Sequence, residues 1–160
     1  MIVVVMGVTG AGKTTVGRLL ARELGGDFLD ADDYHPAANV AKMRAGHPLT
    51  DDDRRPWLAR LNEVLRERAA RSAGVVLACS ALKASYRDQL FAGLPDARLV
   101  FLRGTKAEIA ARLEARRGHY MNPALLDSQF AALEEPVDAI VADIGPAPAA
   151  IAAAVLAQLA

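Results

Sequence analysis

Unbroken apolar runs alternate along this chain with stretches whose apolar residues recur every three or four positions. The unbroken runs are short and rich in β-branched residues, which is typical of strands buried on both faces of a sheet. The runs at residues 1–6 and 74–79 predict two such strands, and shorter apolar stretches at residues 28–30, 98–102 and 139–143 predict three more. The helically spaced stretches predict helices from near 13 to 24, over 36–71 with a break near Gly46 and Pro48, and at 86–91, 105–117, 125–133 and the Ala-rich tail.

This alternation predicts parallel strands joined by helical crossovers on both faces of the sheet. We therefore expect an α/β fold, a three-layer sandwich with a five-stranded parallel sheet, built as one domain over residues 1–160. Ligands of such sheets bind beyond the carboxyl ends of the strands. The candidate chemistry of this chain follows the predicted strands at those ends.

The segment after the first predicted strand reads GVTGAGKT and fits the phosphate-binding pattern G-x-x-x-x-G-K-[ST] at every fixed position. Its glycines allow backbone conformations in which successive N–H groups turn around an anion. Lys13 supplies a positive charge for the β- and γ-phosphates of ATP, and Thr14 supplies a hydroxyl for Mg²⁺. The candidate nucleotide-binding residues here are Gly7, Val8, Thr9, Gly10, Ala11, Gly12, Lys13, Thr14 and Thr15.

An acidic cluster follows the second predicted strand, with Asp30, Asp32 and Asp33 close together and His35 just beyond. Asp32 is the candidate for the carboxylate that orients an acceptor hydroxyl and takes its proton late in phosphoryl transfer. The alternative for any one of these residues is a capped turn or a solvated loop.

The third predicted strand ends in Cys79 and Ser80 and not in the acidic residue that often holds the Mg²⁺ water shell in P-loop hydrolases. The metal then depends on Thr14 and water, with Asp32 as a further candidate contact. Ser80, Lys83 and Arg87 are candidates for contacts with the acceptor, and the alternative for Ser80 is a cap on the next helix.

Three arginines lie close together in a later basic segment. Arg112 and Arg116 are four residues apart on one helical face, and Arg117 precedes a glycine. Arginines on a mobile segment can close over the transferring phosphoryl group and exclude water. The alternative is a solvated basic helix face.

Charge and cysteine content narrow the class of protein. Lys plus Arg equal Asp plus Glu at 19 each, so the net charge favours neither a nucleic acid nor a membrane surface as partner. Cys79 is the sole cysteine, which excludes an internal disulfide and is consistent with a reducing compartment. We therefore expect a cytoplasmic protein.

Several strings together resemble one family, the small P-loop gluconate kinases. They are GVTGAGKTT, FLDADDYHP, NVAKMRAGHPLTDDDRRPWL, CSALKASYRDQL, RRGHY and QFAALEEP, spread from about residue 3 to about residue 145. The resemblance implies a fold like that of nucleoside monophosphate kinases and shikimate kinase, a helical acceptor-binding insert at about 34–72 and a lid at about 116–124. It also implies ATP-dependent phosphorylation of D-gluconate to 6-phosphogluconate with Mg²⁺, and a homodimer.

The resemblance also assigns roles by position. Residues 7–14 would bind the ATP phosphates and Mg²⁺, and Asp32 would face the hydroxyl of the sugar acid. Arg54, Lys83 and Arg87 would lie on the gluconate side, with His35 and Ser80 as further candidates. Arg116 and Arg117 would belong to the lid, Arg116 as a catalytic residue and Arg117, with Arg112, on the ATP side.

The residues alone indicate a small phosphotransferase with an acidic acceptor loop and cations for an anionic partner. Their spacing does not choose gluconate over shikimate or a nucleotide. A nucleotide-dependent switch that hydrolyses ATP slowly is an alternative from another class of protein.

Overall fold

A single parallel sheet forms the centre of the protein. The computed structural model describes residues 1–115 and 123–160. Five strands lie in the order β2-β3-β1-β4-β5, and every neighbouring pair is parallel. They are β1 (Ile2–Met6), β2 (Asp27–Asp30), β3 (Val75–Ala78), β4 (Arg98–Arg103) and β5 (Ile140–Asp143). Because all strands run the same way, their carboxyl ends meet at one edge, where ligands of such sheets bind.

Helices cover both faces of this sheet. In chain order they are α1 (Lys13–Leu24), α2 (Ala37–Arg44), α3 (Asp51–Ala69), α4 (Ala84–Leu90), α5 (Lys106–Ala115), α6 (Pro123–Ala132) and α7 (Pro148–Leu159). A 3₁₀ turn, Ala31–Tyr34, links β2 to α2. The described residues contain no helix long and apolar enough to cross a membrane.

The alternation of side chains along β1 separates two hydrophobic cores. Val3 and Val5 pack into one core with apolar residues of α1, α5, α6 and α7. Val4 and Met6 point the other way, into a core built largely from α3 and α4. All four side chains are fully buried. A strand buried on both faces has no polar alternation, which explains the unbroken apolar run in the sequence.

The predicted fold class is confirmed, with five parallel strands between two helical layers. The predicted break near Gly46 and Pro48 is confirmed, because α2 ends at Arg44 and α3 begins at Asp51. Three details differ from prediction: the 3₁₀ turn after β2 was not predicted, and α4 and α6 each begin two residues before the predicted start, at Ala84 and Pro123.

A capping box fixes the start of α3. The Thr50 hydroxyl accepts from the Asp53 N–H, and the Asp53 carboxylate accepts from the Thr50 N–H. Lys42 of α2 also donates to that carboxylate, at 2.5 Å. These bonds satisfy N–H groups that the first helical turn leaves without partners. They also fix the first turn of α3, which carries Asp51 and Arg54 into the site.

Candidate active site

The phosphate loop joins the carboxyl end of β1 to the first turn of α1. Gly10 (φ 86°) and Gly12 (φ 95°) adopt left-handed conformations that favour glycine, as predicted. Gly12 caps α1 without a side-chain hydrogen bond, so the first N–H groups of the helix remain available to a ligand. The side chains of Val8 and Ala11, within the loop, are buried. Open N–H groups and the positive helix end form an anion site.

Lys13 holds the inner side of the phosphate loop. Its Nζ donates to the carbonyls of Gly7 and Val8, each at 2.9 Å. Burial lowers the pKa of Lys13, while the nearby carboxylates of Asp32 and Asp30 act in the opposite direction. An ammonium with little access to water is costly to keep charged, and an anion beside it offsets that cost. Lys13 is therefore suited to receive phosphate oxygens.

The 3₁₀ turn after β2 carries Asp32 to the phosphate loop. The Asp30 carboxylate accepts from the Asp32 N–H at 3.0 Å and so shapes the turn. Trp57 of α3 holds the same turn, because its Nε1 donates to the Ala31 carbonyl at 2.8 Å. Burial raises the pKa of Asp32, and the charge of Asp30 adds to that rise. A carboxylate whose pKa is raised holds a proton more readily, as a general base must.

Two adjoining cavities lie at the carboxyl edge of the sheet. The phosphate cavity, of about 480 Å³, is lined by the phosphate loop residues and by Asp30, Asp32, Cys79 and Ser80. The acceptor cavity, of about 710 Å³, lies between α3, the end of α2, the β3-α4 loop and α6. Three residues line both: Asp32, Ser80 and Gln129. This shared wall is where a phosphate and an acceptor would meet.

Cations line one wall of the acceptor cavity. Arg54 and Lys83 both approach the ring of Tyr86, with the Arg54 guanidinium carbon 5.1 Å and the Lys83 Nζ 5.5 Å from its centroid. Asp51 accepts from the Tyr86 hydroxyl at 2.6 Å and from Lys83 at 3.3 Å. Both bonds lower the pKa of Asp51, and the bond from Tyr86 has the larger effect. The wall thus offers two cations and one carboxylate to a ligand.

His35 lies against Trp57 in the acceptor cavity. The rings are stacked, with centroids 4.2 Å apart and planes 15° from parallel. Burial lowers the pKa of His35, and Asn39 lies 3.3 Å from its Nδ1. This shift in pKa favours the neutral imidazole, which can exchange hydrogen bonds with hydroxyl groups.

The structure places one predicted site residue away from both cavities. Arg87 lines neither cavity, because its guanidinium is buried and donates to the carbonyls of Ala81, Leu82 and Glu134. It supports the β3-α4 loop from behind. Arg112 donates to the Ile144 carbonyl. Its Nη1 lies 3.8 Å from the point that a Cβ would occupy at Gly12, so Arg112 lies beside the phosphate loop. The predicted residues Arg116 and Arg117 lie outside the described residues.

Cys79 and Trp57 are both buried next to the site. Cys79 is buried, and its burial raises the pKa of the thiol to about 12, so it is inert as a nucleophile. Trp57 belongs to the core, and it additionally bonds the Asp32 turn. That second role depends on a contact between residues 26 positions apart, which no local pattern indicates.

Sequence reasoning missed Gln129 as a site residue. Its side chain reaches Thr9 of the phosphate loop, 120 positions away in the chain. The string QFAALEEP, which begins at Gln129, carried part of the family resemblance and was the available signal.

The fold and the site define a small-molecule kinase of the P-loop class. They combine a phosphate loop after β1, a parallel sheet with helices on both faces and an adjoining acceptor cavity. The family model described as an AAA domain matches residues 2–140. A gluconokinase of Gluconobacter oxydans is 51% identical over 135 residues, with 84% of this chain and 76% of that protein aligned. The chain belongs to the gluconokinase family.

Further relatives agree. The thermosensitive gluconokinase of Escherichia coli is 46% identical, with 83% of this chain and 71% of that protein covered. The crystal structure of a gluconokinase from Sinorhizobium meliloti has a TM-score of 0.87 at 43% identity, covering 98% of this chain and 90% of that one. A shikimate kinase from Acinetobacter baumannii, at 22% identity, 99% and 92% coverage and TM-score 0.57, shows the shared fold alone. The predicted family is confirmed.

Proposed function

We propose that this protein transfers the γ-phosphoryl group of ATP to D-gluconate and forms 6-phospho-D-gluconate. The observation that carries the proposal is the wall shared by the two cavities, since Asp32 lines both the phosphate site and the acceptor site. The gluconokinase relatives support gluconate as the acceptor.

In this reaction a bond forms between the acceptor hydroxyl oxygen and the γ-phosphorus, and the bond from that phosphorus to the β-γ bridging oxygen breaks. Asp32 orients the hydroxyl and takes its proton, and ADP leaves with the bridging oxygen. Lys13 and the N–H groups of the phosphate loop balance the charge on the phosphates. The chemistry therefore needs positioning and charge more than covalent help from the protein.

The acceptor carboxylate would lie on the cationic wall. Arg54 offers a planar guanidinium that can hold a carboxylate with two bonds, and Lys83 offers a compact charge. Asp51 already engages Lys83, so an entering carboxylate would share that ammonium with it. His35 and Ser80 line the same cavity and can bond the hydroxyl groups of the substrate.

Mg²⁺ fits the residues of the phosphate cavity. Within residues 1–115 and 123–160, no group of three or more His, Cys, Asp and Glu side chains is arranged to hold a metal ion. Mg²⁺ commonly keeps several waters and shares its remaining positions with substrate phosphates. The Thr14 hydroxyl lines the cavity and would be its protein ligand. Bound there, the ion would supply positive charge against the phosphates.

Acceptor-dependent release of ADP tests this proposal. Purified protein with ATP and Mg²⁺ is offered D-gluconate, shikimate, nucleoside monophosphates and D-glucose in a coupled assay. We expect gluconate to accelerate ADP release by more than about tenfold, which corresponds to a barrier lowered by more than about 1.4 kcal/mol. Glucose, which lacks the carboxylate, serves as the matched control. Turnover on shikimate or a nucleotide alone would contradict gluconate as substrate, and no acceleration by any acceptor would favour a nucleotide-dependent switch.

The homodimer and the cytoplasmic location both stay predictions. The homodimer would appear in sedimentation velocity at about twice the 17.0 kDa mass of the chain, and a monomer alone would contradict it. Cytoplasmic location would be checked by fractionation of the source cells, with appearance in a secreted fraction as the contrary result.

A further inference from the structure

Both polar atoms of the Gln129 side chain are bonded to one residue of the phosphate loop. Its Oε1 accepts from the Thr9 backbone N–H at 2.7 Å. Its Nε2 donates to the Thr9 hydroxyl at 2.8 Å. Gln129 thus fixes both the backbone and the side chain of Thr9, immediately before Gly10, whose left-handed conformation shapes the loop.

The chain just beyond α6 is bonded to the acceptor side of the site. The Glu134 carboxylate accepts from the Ala84 N–H at 2.7 Å, and the Glu134 N–H donates to the Leu82 carbonyl at 2.8 Å. Arg87 donates to the Glu134 carbonyl at 2.8 Å. One short stretch of chain, 129–134, therefore binds both the phosphate loop and the β3-α4 loop that carries Ser80 and Lys83.

We propose that Gln129 is a positioning residue for phosphoryl transfer, which it serves by fixing the phosphate loop relative to the acceptor cavity through Thr9. The inference rests on the proposed function and deepens it. Gln129 lines both cavities, so the element that fixes the loop forms part of the wall between donor and acceptor. Transfer needs the reacting atoms at about 3–3.5 Å, and a displacement of about 1 Å can cost about a hundredfold in rate.

Replacing Gln129 by methionine, Gln129→Met, keeps the length of the side chain and removes both hydrogen bonds. We expect kcat to fall by about tenfold to a hundredfold. The KM for ATP should change by less than about threefold, because Lys13 and the open N–H groups of α1 still bind the phosphates. The matched control is Gln89→Met, since Gln89 lines neither cavity and its amide donates to Ser85 within its own helix.

A second variant tests whether the effect passes through Thr9. Thr9→Val removes the hydroxyl that Gln129 binds and should lower kcat by itself. In the Gln129→Met background the same change should add less than about twofold, because the bond is already absent. Independent effects that multiply in the double variant would contradict the proposed route.

Amide exchange of Thr9 supplies a readout that needs no acceptor. In the wild-type protein the Thr9 N–H is bonded to Gln129, and in Gln129→Met we expect it to exchange at least about tenfold faster, with neighbouring core amides unchanged. Any one of four results would overturn the positioning role. They are equal exchange of the Thr9 amide in wild type and Gln129→Met, an unchanged kcat, a rise in KM alone, and a loss of kcat equal to that of Gln89→Met. Wild-type turnover on another acceptor would contradict gluconate, and the comparison would then be made with that acceptor.

Discussion

Replacing Trp57 by phenylalanine tests how α3 supports the turn that carries Asp32. Phenylalanine cannot donate to the Ala31 carbonyl, which Trp57 contacts at 2.8 Å, and Ala31 is buried. A buried acceptor left without its donor costs about 1–3 kcal/mol. The smaller ring also leaves space in the core and weakens the stack on His35, so we expect a total loss of roughly 2–4 kcal/mol.

Urea unfolding measures this loss. Trp57 is the sole tryptophan, so both variants and wild type are followed by circular dichroism instead of fluorescence. The matched control is Tyr86→Phe, which also removes one donor, in this case to the exposed Asp51 carboxylate. We expect that control to lose less than about 1.5 kcal/mol, since water can replace the bond. The free energy of unfolding could instead fall by less than about 1 kcal/mol in Trp57→Phe, or by no more than in Tyr86→Phe. Either result would contradict the support of the Asp32 turn by Trp57.

Three further predictions concern charged groups. Lys13→Ala should lower kcat by at least about a hundredfold, since it removes the charge at the phosphates, and steady-state kinetics with near-normal kcat would exclude that role. Asp32→Asn should lower kcat by about a hundredfold or more while ATP affinity by calorimetry stays within about threefold; a rise in acceptor KM alone would make Asp32 a binding residue only. The bond from Lys42 holds the pKa of Asp53 at about 2, below its ordinary 3.8, so its stabilisation is complete above the ordinary value and is lost as pH falls toward 2. Urea unfolding between about pH 2 and 6 should show a shallower acid loss for Asp53→Asn than for wild type, and parallel curves would contradict this account.

The parts of the site formed within one stretch of chain were predictable from sequence. The phosphate loop needs glycines, a lysine and a threonine at fixed spacing, and the start of α3 needs Thr50 and Asp53 three residues apart. These patterns follow from local backbone geometry and from the chemistry of side chains a few residues apart. β1 and β3 were predictable because burial on both faces removes polar residues from them, whereas β2 and β5 are buried only in part and keep aspartates.

The parts formed by distant contacts were not predictable in this way. Lys83 and Arg87 are four residues apart and look equivalent in sequence, yet one faces the acceptor cavity and the other binds carbonyls beneath it. Ala81 precedes both and adopts a left-handed φ of 46°, which sequence gives no reason to expect at alanine. Gln129 reaches Thr9 only because α6 returns to the phosphate loop. Such contacts depend on the assembled fold.

Identification of the product by nuclear magnetic resonance shows directly whether the protein phosphorylates gluconate, and at which hydroxyl. Protein, ATP, Mg²⁺ and D-gluconate are incubated, and ³¹P spectra are recorded with coupling to protons. We expect one new phosphate monoester that forms in step with ADP and couples to the two protons of a terminal CH₂ group, at the end of gluconate opposite its carboxylate. Inorganic phosphate as the sole new signal beside ADP, or an ester on a CH carbon, would contradict it.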